Sequence, residues 1–140
     1  MKLLGGKVEV RTLREVDPGA PRSEVQVRIK AAGGELAVLS DNVVPASYLA
    51  CVELRANIPR GNHFHKKRNE SFYLIAGEAV LYLKDERSGE RAQADLRTGD
   101  LVFIEPMVAH VFVPVSNGHA VEFSKEPFEA SDVYRVEPLV

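Results

Sequence analysis

Apolar and polar residues alternate along this chain in short runs of strand length, and no segment offers a long apolar repeat at helical spacing. On that period of two, the candidate strands are Lys7 to Thr12, Glu24 to Lys30, Glu35 to Ser40, Ser47 to Ala56, Glu70 to Ala76, Glu78 to Leu83, Arg91 to Leu96, Leu101 to Ile104, His110 to Val115 and His119 to Phe123. Turn signals punctuate them: Asp17-Pro18-Gly19, Gly33-Gly34, Ser88-Gly89, Thr98-Gly99-Asp100 and Asn117-Gly118. The last pair predicts a two-residue hairpin, because a type I′ turn needs positive φ at both positions and both residues accept it. Short strands in this number predict an all-β sandwich or barrel. Two segments stand outside the pattern. Asp17 to Arg22, with two prolines and a glycine, reads as a surface loop, and Glu126 to Tyr134 carries a short helical turn around Ser131-Asp132.

At 140 residues the chain is one domain by length, and long enough to bury a core. Within that domain we expect N-terminal strands and an arm over 1–45, a barrel core over 46–124 and a C-terminal tail over 125–140. The 18 basic and 20 acidic residues leave a net charge of −2, and charged positions are spread along the chain. That balance argues against a general nucleic-acid binder or a polybasic membrane-surface protein. A hydrophobic content of 45% excludes disorder, yet the longest apolar runs, such as Tyr48 to Val52 and Phe72 to Ala76, fall far short of a membrane span. The start, Met1 to Gly6, lacks the apolar stretch of a signal peptide, so a cytoplasmic location is the default expectation. Cys51, the one cysteine, cannot form an intrachain disulfide and reads as a small buried apolar residue. Leu101 to Ile104 is apolar on both faces, so something packs on each side; with sheet edges to cover as well, a homodimer is expected.

Three of the four histidines change the picture. His63 and His65 stand at i and i+2, on one face of a strand and about 7 Å apart at ~3.3 Å per residue, where two imidazoles can converge on one ion. Glu70 opens the next strand, and His110 begins another 40 residues later. Each alone has a bland reading, a hydrogen-bonded histidine or a solvated strand-end charge. Together they make a mixed nitrogen and oxygen donor set that suits Fe(II), Mn(II), Co(II), Ni(II) or Zn(II) and leaves positions free for substrate or water. Donor type does not choose among these metals.

The spacings His63-x-His65-x4-Glu70-x6-Gly77 and Gly99-x10-His110 resemble both motifs of the cupin superfamily, which is built on a double-stranded β-helix. The resemblance implies that His63, His65, Glu70 and His110 are metal ligands lining a barrel interior. The chain also departs from the pattern. The glycine that usually begins the first motif falls on Asn57, the proline and glycine before the second-motif histidine fall on Glu105 and Met107, and the later asparagine falls on Pro114. These changes leave every ligand in place but bear on the loop that presents His110, where Glu105 would add a carboxylate near the mouth. Arg60-Gly61-Asn62-His63-Phe64-His65, the tail Ser124 to Glu129, Asp132 and Tyr134 are similar to the C-terminal cupin domain of capsular-polysaccharide epimerase/reductases. The first of these stretches is also similar to cupin ketoisomerases acting on nucleotide-linked deoxysugars.

The resemblance implies a metal-dependent isomerase or epimerase of a keto sugar, with the metal as Lewis acid and another lumen residue as base. An Fe(II)-dependent dioxygenase and a non-catalytic sugar or small-ligand binder are the alternatives, and no NAD is expected, since no Gly-x-Gly-x-x-Gly follows a strand. By parity with Glu70 and His110, Phe72 and Phe112 line the lumen and contact substrate, while Arg60 is placed to meet a sugar-nucleotide phosphate. Cys51, Glu53 and Arg55 share a face opposite Val52 and Leu54 that is either solvent or lumen; Glu53, Arg55 and Glu105 are the candidates for acid/base and anion-binding work. Lys66-Lys67-Arg68 reads as a solvated turn, His119 as a surface residue, and Tyr73 and Tyr82 as packing or interface residues.

Overall fold

In the strand Glu78–Asp85, Ala79, Leu81, Leu83 and Asp85 are buried and the residues between them are not. That period of two, repeated along the chain, builds the computed structural model, which describes residues 1–40 and 46–140. Its strands are β1 (Lys2–Leu3), β2 (Val8–Thr12), β3 (Glu15–Val16), β4 (Val27–Ala31), β5 (Gly34–Val38), β6 (Tyr48–Leu54), β7 (Arg60–Phe64), β8 (Glu70–Ala76), β9 (Glu78–Asp85), β10 (Arg91–Arg97), β11 (Asp100–Ile104), β12 (Val108–Pro114), β13 (Gly118–Ser124) and β14 (Tyr134–Arg135). Short 3-10 turns stand at Leu4–Gly6 and Ala130–Asp132, the second inside the segment expected to turn. Among the described residues no helix is long and apolar enough to cross a membrane. The end of the expected N-terminal segment, 41–45, lies outside the described residues.

A six-stranded sheet runs β1-β2-β11-β8-β13-β6, a five-stranded sheet β10-β9-β12-β7-β14, and a small sheet β3-β4-β5. From β6 to β9, and again from β10 to β14, each strand crosses to the other large sheet, which wraps the chain into the double-stranded β-helix that the cupin resemblance implies. Phe72, Leu74, Val102 and Ile104 from one sheet meet Leu81, Leu83, Ala94 and Phe112 from the other in the main core. Outside the six-stranded sheet, Leu13, Tyr73, Leu101 and Phe123 form a second cluster against Ala37 and Leu39. The chain's own β5 therefore covers the outer side of Leu101, and that side does not need a second copy. Buried Arg28 donates to both oxygens of Glu35, at 2.7 and 2.9 Å, and Tyr73 Oη donates to the same carboxylate at 3.0 Å, tying the small sheet to β8.

Three expectations are corrected. Asn117-Gly118 makes no hairpin turn: β12 and β13 lie in different sheets, and neither residue has positive φ. Gly118 is needed for close approach, because a Cβ there would stand 1.9 Å from the Ala76 carbonyl oxygen. Cys51 is exposed on the outer face of β6. Arg68 is buried, its guanidinium 4.2 Å from the Tyr48 ring centroid and hydrogen-bonded to Glu122, whereas Lys66 and Lys67 remain in solvent.

Adding a methyl group at Gly118 forces two backbones apart, so Gly118→Ala should lose about 1–3 kcal/mol in urea unfolding. Gly33→Ala, where a Cβ meets open space, should stay within about 0.5 kcal/mol of the parent. Hydrogen bonding from Arg28 lowers the Glu35 carboxyl from 4.5 to about 2. A depressed carboxyl contributes stability above its unfolded value and loses it as pH falls through its folded one. Glu35→Gln should accordingly be less stable at pH 7 and show a shallower loss than the parent between pH 4.5 and about 2, read from unfolding midpoints across that window.

Candidate metal centre and cavity

β7 and β12 are neighbours in the five-stranded sheet, and their register sets His63 directly opposite His110. The next pair is Val111 with Gly61, so Asn62 is the extra residue of a β-bulge. Gly61 (φ 118) and Asn62 (φ 58) carry the bulge in left-handed conformations, and a Cβ at Gly61 would stand 2.5 Å from the His110 carbonyl oxygen. Past the bulge, two-residue alternation sets His63 and His65 to the same side, with ring centroids 5.0 Å apart and His63 4.9 Å from His110. Glu70 arrives from the opposite sheet as the first residue of β8.

One ligand atom from each of His63, His65, Glu70 and His110 lies within 4.8 Å of every other. His65 Nε2 and His110 Nε2 stand 3.3 and 3.4 Å from the same Glu70 Oε2. Hydrogen bonding fixes which nitrogens are free. His65 Nδ1 faces the Asp132 carbonyl at 2.8 Å and His110 Nδ1 faces the Val108 carbonyl at 3.0 Å. A carbonyl only accepts, so each Nδ1 carries its hydrogen and each Nε2 is the nitrogen left to face Glu70, a lone pair in the neutral ring and a donor in the protonated one. His63 Nδ1 and His110 Nε2 are buried without a hydrogen-bond partner among the described residues. Burial and the facing His110 push the His63 imidazole down to about 3, which keeps it neutral. Burial opposes ionisation of Glu70, but the His110 and His65 rings outweigh it and hold the carboxyl well below the usual range. Buried acceptors converging without donors cost free energy unless a cation satisfies them. The donor set fits a divalent transition ion, and the carbonyls behind two of the rings are the supports that such ligands use.

Three of the four, His63, Glu70 and His110, line a cavity of about 250 Å³, together with Phe72, Phe112, Glu122, Arg60 and Arg135. Phe72 and Phe112 stack at 4.0 Å between centroids. The expected metal ligands and Arg60, Phe72 and Phe112 are thus brought together. Glu53, Arg55 and Glu105 are not. Glu53 on β6 and Arg55 just beyond it face solvent, 63% and 74% exposed at their side chains and 3.5 Å from each other; the inward parity belongs to Val52 and Leu54. They line a shallow hollow outside the barrel, which Arg60 also borders. Glu105 is exposed and outside the cavity lining, its N–H bonded to the Lys7 carbonyl. His119 is exposed, as expected.

Two cavity residues escaped the sequence reading. Glu122 sits on β13 with the same parity as fully buried Ala120, a signal that alternation did contain. It accepts a hydrogen bond from Arg68 Nη2 at 3.1 Å. Burial and the neighbouring Glu70 charge push its carboxyl up to about 7 against the pull of Arg68. Arg135, on two-residue β14, left no periodic signal; it pairs across from His63 and donates to the Gly61 carbonyl at 3.0 Å.

Similar folds occur in solved 3,4-ketoisomerases and in a capsular polysaccharide assembling protein. A 3,4-ketoisomerase from Thermoanaerobacterium thermosaccharolyticum, solved with TDP-4-keto-6-deoxyglucose, superposes with a TM-score of 0.72 at 17% identity, over 93% of this chain and 88% of that one. A 3,4-ketoisomerase from Helicobacter canadensis gives 0.72 at 14% identity, over 92% and 90%. The capsular polysaccharide assembling protein CapF from Staphylococcus aureus gives 0.60 at 20% identity over 68% of this chain, which spans only 27% of CapF. Sequence comparison with curated proteins finds no match. The model of the polysaccharide biosynthesis C-terminal domain family matches residues 44–131, more than half of the chain and all four clustered ligands, and the chain belongs to that family.

Proposed function

We propose that the protein is a metal-dependent isomerase or epimerase that moves a proton on the carbon beside the ketone of a nucleotide-linked keto sugar. The observation that carries this reading is the placement of the four-ligand cluster and the Arg68-held carboxylate of Glu122 on one small cavity with arginines in its lining. The 3,4-ketoisomerases of similar fold, one of them solved with TDP-4-keto-6-deoxyglucose, support the substrate class.

His63, His65, Glu70 and His110 would hold the ion, with Zn, Fe, Mn, Ni and Co all compatible with the donor set. Bound there, a divalent ion supplies Lewis acidity toward a carbonyl oxygen. Glu122 takes the proton from the carbon beside the ketone while the C–H electron pair moves toward the keto oxygen; in an isomerisation the proton is then delivered to the former carbonyl carbon as the neighbouring hydroxyl proton passes to the former keto oxygen, and in an epimerisation a proton returns to the opposite face of the same carbon, so atoms balance and the reaction is redox-neutral overall. Arg68 holds the Glu122 carboxylate in place at 3.1 Å. Phe72 and Phe112 form a stacked apolar wall beside the reacting carbon and keep water from it. A cavity of about 250 Å³ is smaller than pockets that enclose whole drug-sized ligands, at roughly 300–1,000 Å³, so the sugar enters and the nucleotide stays outside. Arg60 and Arg135 then meet the phosphates, where a guanidinium binds two oxygens at once. A homodimer belongs to the same reading, since Leu49, 71% exposed, with Ile75 and Phe103 leaves apolar surface on the outer face of the six-stranded sheet.

Protein purified without added metal or a histidine tag should carry about one divalent transition ion per chain, as a single mixed-donor site holds. Elemental analysis of the parent and of His63→Ala and His110→Ala checks this; equal metal in all three would overturn the assignment of the centre. In deuterated water, a panel of nucleotide-linked keto sugars should gain solvent deuterium beside the ketone, followed by mass spectrometry. Glu122→Gln should slow that exchange by about 10²–10⁴-fold, the usual contribution of a positioned base, while keeping its metal. No exchange across the panel, or Fe(II)-dependent oxygen consumption in its place, would sink the reading.

A further inference from the structure

The tail that follows the barrel is fastened to the strand carrying the histidines. Asp132, buried in the 3-10 turn, sets its carboxylate against three consecutive backbone N–H groups: Lys66 donates to Oδ1 at 2.9 Å, Lys67 to Oδ1 and Oδ2 at 3.2 and 3.3 Å, and Arg68 to Oδ2 at 3.2 Å. Its main-chain carbonyl accepts the Nδ1 hydrogen of His65. Beyond it, Tyr134 and Arg135 pair with Phe64 and His63, the Tyr134 ring stacks on Phe64 at 5.1 Å, and Val136 N–H donates to the Asn62 carbonyl at 3.0 Å.

From this geometry we infer that Asp132 is a positioning residue for the centre, and that docking of the tail over 130–136 and occupancy of the four-ligand cluster are thermodynamically linked. The inference rests on the metal reading above but not on any substrate. The carbonyl that fixes the His65 tautomer and the carboxylate that caps the loop after it belong to one residue. Releasing the loop therefore moves the carbonyl away from the ring. The same loop ends in Arg68, whose guanidinium holds Glu122, so one cap sets both a metal ligand and the proposed base. Residues that orient ligating histidines from behind typically change metal affinity about 10–100-fold when removed. Linkage is reciprocal: if the docked tail strengthens metal binding, bound metal strengthens tail docking by the same factor.

The test uses the full chain and Co(II) as the probe. In competition with a chelator, Asp132→Ala should bind Co(II) about 10–100-fold more weakly than the parent and show an altered Co(II) absorption spectrum. Asp132→Asn, which keeps an oxygen acceptor facing the loop, should recover most of both. A cap that merely stabilised the fold would lower the unfolding midpoint and leave affinity and spectrum unchanged. That result, with native circular dichroism, overturns the inference. If Asp132→Ala does not fold, hydrogen exchange of the parent decides: amides of Lys66 to Arg68 and Tyr134 to Val136 should gain protection on Co(II) binding, and unchanged protection overturns it. A parent that takes up no Co(II) overturns the metal reading and this inference together, whereas a parent that binds Co(II) but turns over no sugar leaves this one standing.

Discussion

Three imidazoles and one carboxylate converge on one largely buried place, and the rest of the site depends on how the fold holds them there. Two imidazole Nε2 atoms stand 3.3 and 3.4 Å from Glu70 Oε2, and the Nδ1 hydrogens of those rings are committed to carbonyls behind. In a low-dielectric interior such an arrangement is unfavourable on its own, whether it is answered by a proton on His110, which Glu70 favours over the cost of burial, or by a metal ion. Local propensity does not create it. The surrounding barrel has to hold it.

The double-stranded β-helix is suited to that task because its ligands come from both sheets. His63 and His110 are cross-strand partners on β7 and β12, and Glu70 reaches them from β8 across the interior. An ion bound among them would cross-link the two sheets at one end, where the aromatic pair Phe72 and Phe112 gives way to polar side chains. Beside them on the adjacent strands, Leu83 and Ile104, cross-strand partners of His110 and Glu70, join Leu81 and Val102 in holding the sheets together by apolar contact. One interior thus has an apolar region that secures the fold and a polar region that the fold makes possible.

Sequence periodicity carried the fold class and most strands, because two-residue alternation is imposed by the core and visible in residue types. Donor type and spacing, through the resemblance to the cupin motifs, also singled out the four residues that the structure clusters, His63, His65, Glu70 and His110. What the sequence reading missed has physical causes. Asn-Gly at 117–118 satisfies the chemistry of a tight turn, yet Gly118 answers to a contact with Ala76, more than 40 residues away in sequence. Glu53 and Arg55 lie on a face whose orientation depends on the sheet β6 joins, and one strand cannot reveal that. Arg68 looks like the end of a basic run, but its burial against Tyr48 and Glu122 is set by tertiary contacts, as is the placement of Arg135.

The departures from the cupin motifs show what the motifs encode. Asn57 and Met107 stand where the pattern has glycine, and both hold left-handed backbone conformations, at φ 63 and 68. The backbone takes at both positions a conformation that glycine adopts at little cost, without a glycine there. Asparagine visits that region readily; methionine does so at a cost of about 1–3 kcal/mol, which persists only where surrounding contacts fix the conformation. At Met107 the contact is visible: its N–H donates at 2.7 Å to the carbonyl of His65, a clustered ligand. The strained residue lies on the loop before His110 and is bonded to the main chain of His65. The two motifs are therefore joined through their backbones as well as through any ion their side chains share.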